Sequence, residues 1–166
     1  MKSGRPVIHS CFFWHRQSVN FKVMMKISWT SLKISIAGAK LSHLVQKDKI
    51  WDHGSMIEQA RIIFYLVNKA KASGNIESLR KQCTIFCFEK LKTELEEMGA
   101  QQDSLMINPV IKEIAIIEVQ PGKNNKPDMF CALIRGSSKE VPPKKFISHW
   151  SFVRQGEWWV LDQIKN

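Results

Sequence analysis

Four side chains in the chain could act as general acids or bases: Asp52, His53, His149 and Asp162. A catalytic base needs a pocket, a shifted pKa and a partner within hydrogen-bonding reach. Asp52 precedes a predicted helix and His149 lies on a predicted strand, so structural roles account for both. Asp162 is expected to form an ion pair with Arg154 or Lys165. Because the sequence has no Ser-His-Asp order, glycine-rich phosphate loop or metal-ligand spacing, we expect no enzymatic activity, cofactor or metal.

The four cysteines are Cys11, Cys83, Cys87 and Cys131. Cys83 and Cys87 lie four residues apart in a segment with helical spacing, and no second ligand pair follows at zinc-finger spacing. Because free cysteine packs as a small apolar residue, we interpret both as helix core residues with unpaired thiols. The spacing predicts no disulfide framework.

The net charge of +10 is unevenly distributed along the chain. Residues 1–47 hold eight of the 25 Lys and Arg residues and none of the 15 Asp and Glu residues. The remaining residues, 48–166, are therefore close to electrical balance. We divide the chain into a basic N-terminal arm, 1–47, and a domain, 48–166, and the high overall pI does not indicate that the domain binds nucleic acid.

The lysines of the arm follow a helical repeat. Lys26, Lys33, Lys40 and Lys47 recur every seven residues, and Lys22 lies one turn before Lys26. On a helix these residues would form one stripe, and they are the candidate contacts to a membrane or another anionic surface.

The acid-free, serine-rich composition of the arm is typical of a transit peptide and equally of a segment that lies on an anionic membrane. The arm shows no single broad apolar face, and its apolar residues have no predicted packing partner, so a disordered leader is an equal alternative. No transmembrane helix is expected, because the longest stretch without charged residues, 6–15, is far shorter than the roughly 20 residues that a spanning helix needs.

Aromatic and basic residues alternate in the arm in a way that suits a single nucleic-acid strand. The residues that could stack on bases or neutralise phosphates are Trp14, His15, Arg16, Phe21, Lys22, Lys26 and Trp29. No recognised RNA-binding motif accompanies them. Nucleic acid is therefore an alternative partner, ranked below a lipid surface.

Apolar spacing predicts three helices in the domain, over residues 56–73, 76–82 and 84–98. Ser55 and Glu58 fit a capping box at the start of the first helix, and Gly74 is expected to end it. Strand-like stretches follow at 110–120, 129–135 and 146–153, and Gly156 turns the chain into a last strand. On that strand Trp158, Val160 and Ile164 are expected to share one face. This order predicts an α+β fold in which about four antiparallel strands curl over the helices.

Two motifs of the domain resemble a known family. The first begins with Ile50-Trp51-Asp52, continues with Ala60-Arg61-x-Ile63-Phe64 and Ala70, and ends with Gly74-Asn75-Ile76-Glu77-Ser78-Leu79-Arg80. The second is Trp150-x-Phe152-Val153-Arg154-x-Gly156-x-Trp158, followed by Leu161-Asp162-x-Ile164. Together they are similar to the Tim-forty-four-like domain family, over about residues 48–166. That family includes the C-terminal domain of the mitochondrial inner-membrane import-motor scaffold, a mitochondrial large-ribosomal-subunit protein and bacterial proteins.

The resemblance implies a cone-shaped fold of the nuclear-transport-factor-two-like class and a non-enzymatic scaffold role in protein transport. Members of the family attach peripherally to cardiolipin-rich membranes or to other proteins. It also implies a location on the bacterial inner membrane or on the matrix side of the mitochondrial inner membrane. The partners it implies are an anionic phospholipid surface and other proteins.

A curved sheet lined by aromatic residues predicts an apolar pocket for a lipid acyl chain or a peptide. The candidate pocket residues are Phe64, Phe146, Trp150, Phe152, Trp158 and Val160. The leading hypothesis is a membrane-peripheral binding or scaffold domain. The alternatives are an RNA- or protein-binding component like that of the mitochondrial ribosome and, ranked third, a small-molecule enzyme of the same fold class.

Overall fold

The computed structural model describes residues 28–98 and 109–165. Its helices are α1 (Trp29–Lys47), α2 (His53–Ser73) and α3 (Ile85–Met98), with short 3₁₀ turns at Lys49–Trp51 and Ile76–Leu79. Its strands are β1 (Val110–Gln120), β2 (Met129–Ser137), β3 (Lys145–Gln155) and β4 (Trp158–Lys165). The four strands form one antiparallel sheet in the order β1-β2-β3-β4, and the helices pack on it. The predicted α+β class is confirmed.

Helix α2 begins three residues earlier than the predicted capping box. The Asp52 carboxylate accepts hydrogen bonds from the Ser55 backbone N–H and hydroxyl, both at 2.8 Å. These bonds lower the pKa of Asp52 and make it the N-cap, so that Ser55 lies inside the helix and our capping box was wrong. At the other end Gly74 adopts φ 69°, the left-handed conformation that glycine permits, and ends the helix as predicted.

Helix α3 is capped by Thr84. The Thr84 hydroxyl oxygen accepts from the Cys87 N–H at 3.3 Å, and the Thr84 carbonyl accepts from the Phe88 N–H at 2.9 Å. Cys87, Phe88 and Leu91 face the core and Leu95 packs against it, whereas Ile85 is 84% exposed. The side of α3 that packs on the core therefore begins at Cys87, and the first two residues of the helix are exposed.

The core lies between the helices and one face of the sheet. Phe130 and Phe152 stack with ring centroids 4.7 Å apart, and Trp159 packs edge-on against Phe130 at 4.9 Å. Trp51, just before α2, meets Trp159 edge-on at 5.0 Å. This aromatic cluster joins β2, β3 and β4 to the start of α2.

A β-bulge in β4 changes which residues face the core. Ser151 pairs with Gln163 but Phe152 pairs with Leu161, so Asp162 is an extra residue. Ile164 therefore returns to the core side with Leu161, and our expectation that it shares a face with Trp158 was wrong. Trp158 is 69% exposed.

Helix α1 occupies much of the predicted arm. Ala37 and Leu41 are buried in the main core, and Ile34 packs on a second cluster formed by Ile117, Cys131 and Leu133. We expected no packing partner for these residues, which was wrong, because β1 and the neighbouring part of the sheet provide one far along the chain. Residues 1–27 lie outside the described part, and the division of the chain after Lys47 stays a prediction.

Arg154 ties the junction between α1 and α2 to the sheet. Its guanidinium donates to Asp48 Oδ2 at 2.6 Å and to Asp128 Oδ2 at 3.1 Å, and its Nε donates to the Gly156 carbonyl at 2.7 Å. The ion pair that we expected between Asp162 and Arg154 or Lys165 is not formed, and the Asp162 carboxylate instead accepts from the Thr84 hydroxyl at 3.1 Å. The bulge in β4 turns the Asp162 carboxylate toward the start of α3.

We expect Asp48→Asn to lower the free energy of unfolding at neutral pH. Hydrogen bonds from the Ile50 N–H and from Arg154 lower the pKa of Asp48 below its ordinary value of 3.8. A lowered carboxyl pKa stabilises the folded state above the unfolded pKa and stops doing so as pH falls through the folded pKa. Urea titrations should therefore show a difference in the free energy of unfolding between wild type and variant that is full at neutral pH and shrinks below pH 3.8.

Glu96→Gln, at an exposed position of α3, is the control and should show no such pH-dependent difference. A difference for Asp48→Asn that is independent of pH would contradict the ion pair.

Candidate functional site

Helix α1 turns a mixed apolar and basic surface outward, which we call the α1 outer surface. It consists of Trp29, Leu32, Lys33, Ile36, Lys40 and Lys47. Successive helical residues are about 100° apart, so these six positions lie on one side, away from buried Ala37 and Leu41. Trp29 is 71% exposed, Leu32 40% and Ile36 49%, and the three lysines are also exposed.

The charge of α1 is entirely positive. The helix contains three lysines and no Asp or Glu. The predicted contacts Lys33, Lys40 and Lys47 lie on the same side of it, whereas Lys22 and Lys26 lie outside the described residues. Lys33 also lies near Cys131, where its charge partly offsets the burial that raises the pKa of that thiol. The N-terminal half of α1 is thus set beside the outer face of the sheet.

Serine side chains bond to the backbone at the start of α1 and within it. Ser28 is the N-cap, and its hydroxyl oxygen accepts from the Ser31 N–H at 3.1 Å. The hydroxyls of Ser35 and Ser42 donate to the carbonyls of Ser31 and Gly38 at 3.1 and 3.0 Å. The Ser28 cap stabilises the start of α1, whereas the bonds from Ser35 and Ser42 do not, so the helix is held mainly by its packing on the rest of the domain.

An apolar groove lies between α1 and the start of α2 and has a volume of about 330 Å³. The residues that line it are Gly38, Leu41, Ser42, Val45, Trp51, Asp52 and His53. Of its polar groups, Asp52 is already used as the cap of α2. The groove could therefore hold the apolar part of a ligand.

None of the six predicted pocket residues lines the apolar groove. Phe64, Trp150 and Phe152 are buried in the main core, where Phe64 and Trp150 have ring centroids 5.3 Å apart. Phe146 stacks on Phe64 at 5.6 Å and covers Gly136, where a Cβ atom would come within 2.5 Å of the Phe146 ring. Trp158 and Val160 lie on the strand face opposite Trp159 and Leu161. The sequence pattern identified aromatic core residues, and the apolar groove was missed because its walls come from α1.

A second, polar groove of about 410 Å³ surrounds the β1–β2 turn at residues 122–128. Asn124 and Asn125 turn the chain there with φ 52° and 64°. Arg154 borders this groove, but Asp48 and Asp128 already bind its guanidinium. Two carboxylates offset the charge of Arg154, so the remaining positive charge beside this groove comes from Lys123 and Lys126.

The four acid–base candidates are spread over the structure. Asp52 caps α2, and His53 borders the apolar groove. His149 is exposed and pairs in register with Leu133 and Lys165, while Asp162 bonds to Thr84. In the described part of the chain, no group of three or more His, Cys, Asp or Glu residues is placed to hold a metal ion.

No family model matches the chain, and no curated protein matches it. None of the helices among residues 28–98 and 109–165 is long and apolar enough to cross a membrane. The assignment to the Tim-forty-four-like family stays a prediction from the two motifs.

We expect Gly38→Ala to stabilise the protein by about 0.5–1 kcal/mol, the usual cost of glycine in a helix interior. A Cβ atom built at Gly38 meets nothing within 4 Å, so the methyl group adds no clash. Urea unfolding of wild type and variant would measure the change. A loss of stability would contradict the open groove beside Gly38.

Proposed function

We propose that the chain is a non-enzymatic, membrane-peripheral binding or scaffold domain that attaches to an anionic phospholipid surface through α1. The observation that carries the proposal is the α1 outer surface, where exposed Trp29, Leu32 and Ile36 adjoin Lys33 and Lys40 on an acid-free helix. The nuclear-transport-factor-two-like cone and membership of the Tim-forty-four-like family are parts of the same proposal.

Two forces favour this attachment together. Apolar side chains gain free energy when they enter the boundary between headgroups and acyl chains, and tryptophan suits that boundary. Lysines near an anionic leaflet add about 1 kcal/mol each. Because the helix is held on the domain by Ala37 and Leu41, it can lie on the membrane without leaving the fold.

The apolar groove supports the ligand-binding part of the proposal. Its volume of about 330 Å³ falls at the lower end of the range for small-molecule sites. Leu41, Val45 and Trp51 offer apolar contacts for a lipid acyl chain or an apolar peptide side chain. Gly38→Leu would fill this groove from one wall and so separate groove binding from surface binding.

The composition of the α1 outer surface favours a lipid surface over RNA. Leu32 and Ile36 are exposed aliphatic side chains, which gain by entering an apolar layer but cannot stack on bases. In this proposal the domain works on the bacterial inner membrane or on the matrix side of the mitochondrial inner membrane, where it presents its remaining surface to protein partners.

The test is co-sedimentation of the full chain with neutral phosphatidylcholine vesicles and with vesicles that also contain cardiolipin. We expect binding to the acidic vesicles only, with an affinity that falls as salt screens the lysines. Residues 29–47 should not be deleted, because Ala37 and Leu41 belong to the core. The absence of binding to acidic vesicles would overturn the proposal, and binding to single-stranded RNA in its place would favour the nucleic-acid alternative.

A further inference from the structure

The outward side of α3 combines apolar and acidic side chains, and we call it the α3 outer surface. It consists of Ile85, Phe86, Glu89, Thr93, Glu96 and Glu97, all of them exposed. Successive helical residues are about 100° apart, so these positions fall within about 120° around the helix axis, opposite buried Cys87 and Leu91. Ile85 is 84% exposed and Phe86 71%, so two large apolar side chains lie in water beside three carboxylates.

The three carboxylates of the α3 outer surface are available to a partner. Glu94, on the flank of the helix, pairs with Lys71 at 3.3 Å and so ties α3 to α2. Among residues 28–98 and 109–165, by contrast, no ion pair involves Glu89, Glu96 or Glu97. The α3 outer surface therefore suits a partner surface that is apolar and basic.

The α1 outer surface has the opposite charge at the same spacing. On each helix an exposed apolar residue is followed, four and eleven positions later, by exposed charged residues. They are Trp29, Lys33 and Lys40 on α1 and Ile85, Glu89 and Glu96 on α3. Seven residues of a helix span about 10.5 Å, so the two charges are equally far apart on both helices. Two such helices in parallel contact would bring each lysine to a glutamate and Trp29 to Ile85, with Leu32 and Phe86 on the same side of the contact.

We propose that the α1 outer surface of one copy of the protein binds the α3 outer surface of a second copy. The two helices lie parallel, and Lys33 and Lys40 of one copy pair with Glu89 and Glu96 of the other. Exposed ion pairs contribute little each, so the burial of the apolar side chains supplies the rest of the attraction. The charges set the direction and the register of the contact and exclude contacts between two basic or two acidic helices.

The proposed contact joins two different surfaces of the protein. A dimer held by it still has one free α1 outer surface and one free α3 outer surface, so association continues past the dimer into a ring or an open chain. Self-association needs no membrane and is therefore independent of the function proposed above. Where both occur, they compete, because each covers the α1 outer surface.

The experiment is sedimentation velocity of the full chain, without lipid, at protein concentrations up to about 1 mM. We expect the average sedimentation coefficient to rise with protein concentration at about 0.05 M salt. The rise should be smaller at about 0.5 M salt, where screening weakens attraction between exposed charges. Because no lipid is present, failure of this test and failure of the membrane proposal are separate results.

Charge reversal on either helix tests the two ion pairs. Lys33→Glu with Lys40→Glu makes both outer surfaces acidic, whereas Glu89→Lys with Glu96→Lys makes both basic. Each double variant should associate about tenfold more weakly than the wild type, or less still, because two attractions become repulsions. The four substitutions in one chain restore opposite charges and the net charge of +10, and they should restore association.

Lys69→Glu with Lys81→Glu is the matched control. It changes the net charge as much as the reversal on α1 does, at exposed positions outside both surfaces, and should associate like the wild type. Urea unfolding checks that every variant is folded. The proposal is overturned if the wild type stays monomeric up to about 1 mM at low salt. It is equally overturned if the α3 reversal associates as strongly as the wild type, or if the folded chain with all four reversals stays monomeric.

Discussion

Replacing Lys33, Lys40 and Lys47 by glutamine should weaken binding of the full chain to cardiolipin-containing vesicles by about 100-fold. Each lysine near an anionic surface contributes about 1 kcal/mol, and a factor of ten in affinity corresponds to about 1.4 kcal/mol. The three lysines are exposed on the same side of α1, so one flat surface can approach them together. Co-sedimentation over a range of lipid concentrations would measure the change.

The matched control removes the same number of charges elsewhere. Lys69, Lys81 and Lys92 are exposed on α2, on the segment before α3, and on α3. Their replacement by glutamine should leave vesicle binding close to that of the wild type. If both triple variants lost the same affinity, net charge alone would be responsible, and α1 would not be the contact surface.

Phe130→Ala should lower the free energy of unfolding by about 3–5 kcal/mol, the range observed when a buried Phe is truncated. Phe130 is fully buried, stacks on Phe152 and makes an edge-to-face contact with Trp159. Removing its ring leaves a cavity between two other rings that are fixed on β3 and β4, so little can collapse into the space. Urea or thermal unfolding would measure the loss.

Trp158→Ala is the control for Phe130→Ala, because it removes a larger aromatic ring from an exposed position. Trp158 is 69% exposed, and substitutions at such positions usually change stability by less than about 0.5 kcal/mol. Equal losses of stability for the two variants would contradict the exposure of Trp158, because they would mean that its ring is packed in the folded protein.

Local sequence patterns were sufficient to predict the positions of most strands and of several helix ends. Alternation and β-branched residues located β1 to its last residue, and Gly74 and Gly156 took the positive φ values that their turns require. The start of α2 was misplaced because two acceptors, Asp52 and Ser55, compete for the same role, and the spacing alone does not show which one has the geometry.

Features that depend on distant contacts could not be predicted. The bulge at Asp162 arises from pairing with β3, and simple alternation without it places Ile164 on the same face as Trp158. Likewise, the seven-residue repeat predicted the lysine stripe of α1, but the exposed Trp29, Leu32 and Ile36 became a surface only once Ala37 and Leu41 were seen to face inward. The choice of inward face is made by the sheet rather than by the helix.

The bridge between Leu161 and the segment before α3 also limits how this domain can recruit partners. An edge strand normally offers free backbone groups to which an extended peptide, or a second copy of the protein, can add as a further strand. At Leu161 both backbone groups are occupied by Gln82 and Thr84, and the Gln59 side chain reaches the Trp159 carbonyl at 3.4 Å. A strand added to β4 would have to displace these contacts, so the sheet is protected from strand addition and edge-to-edge aggregation along β4.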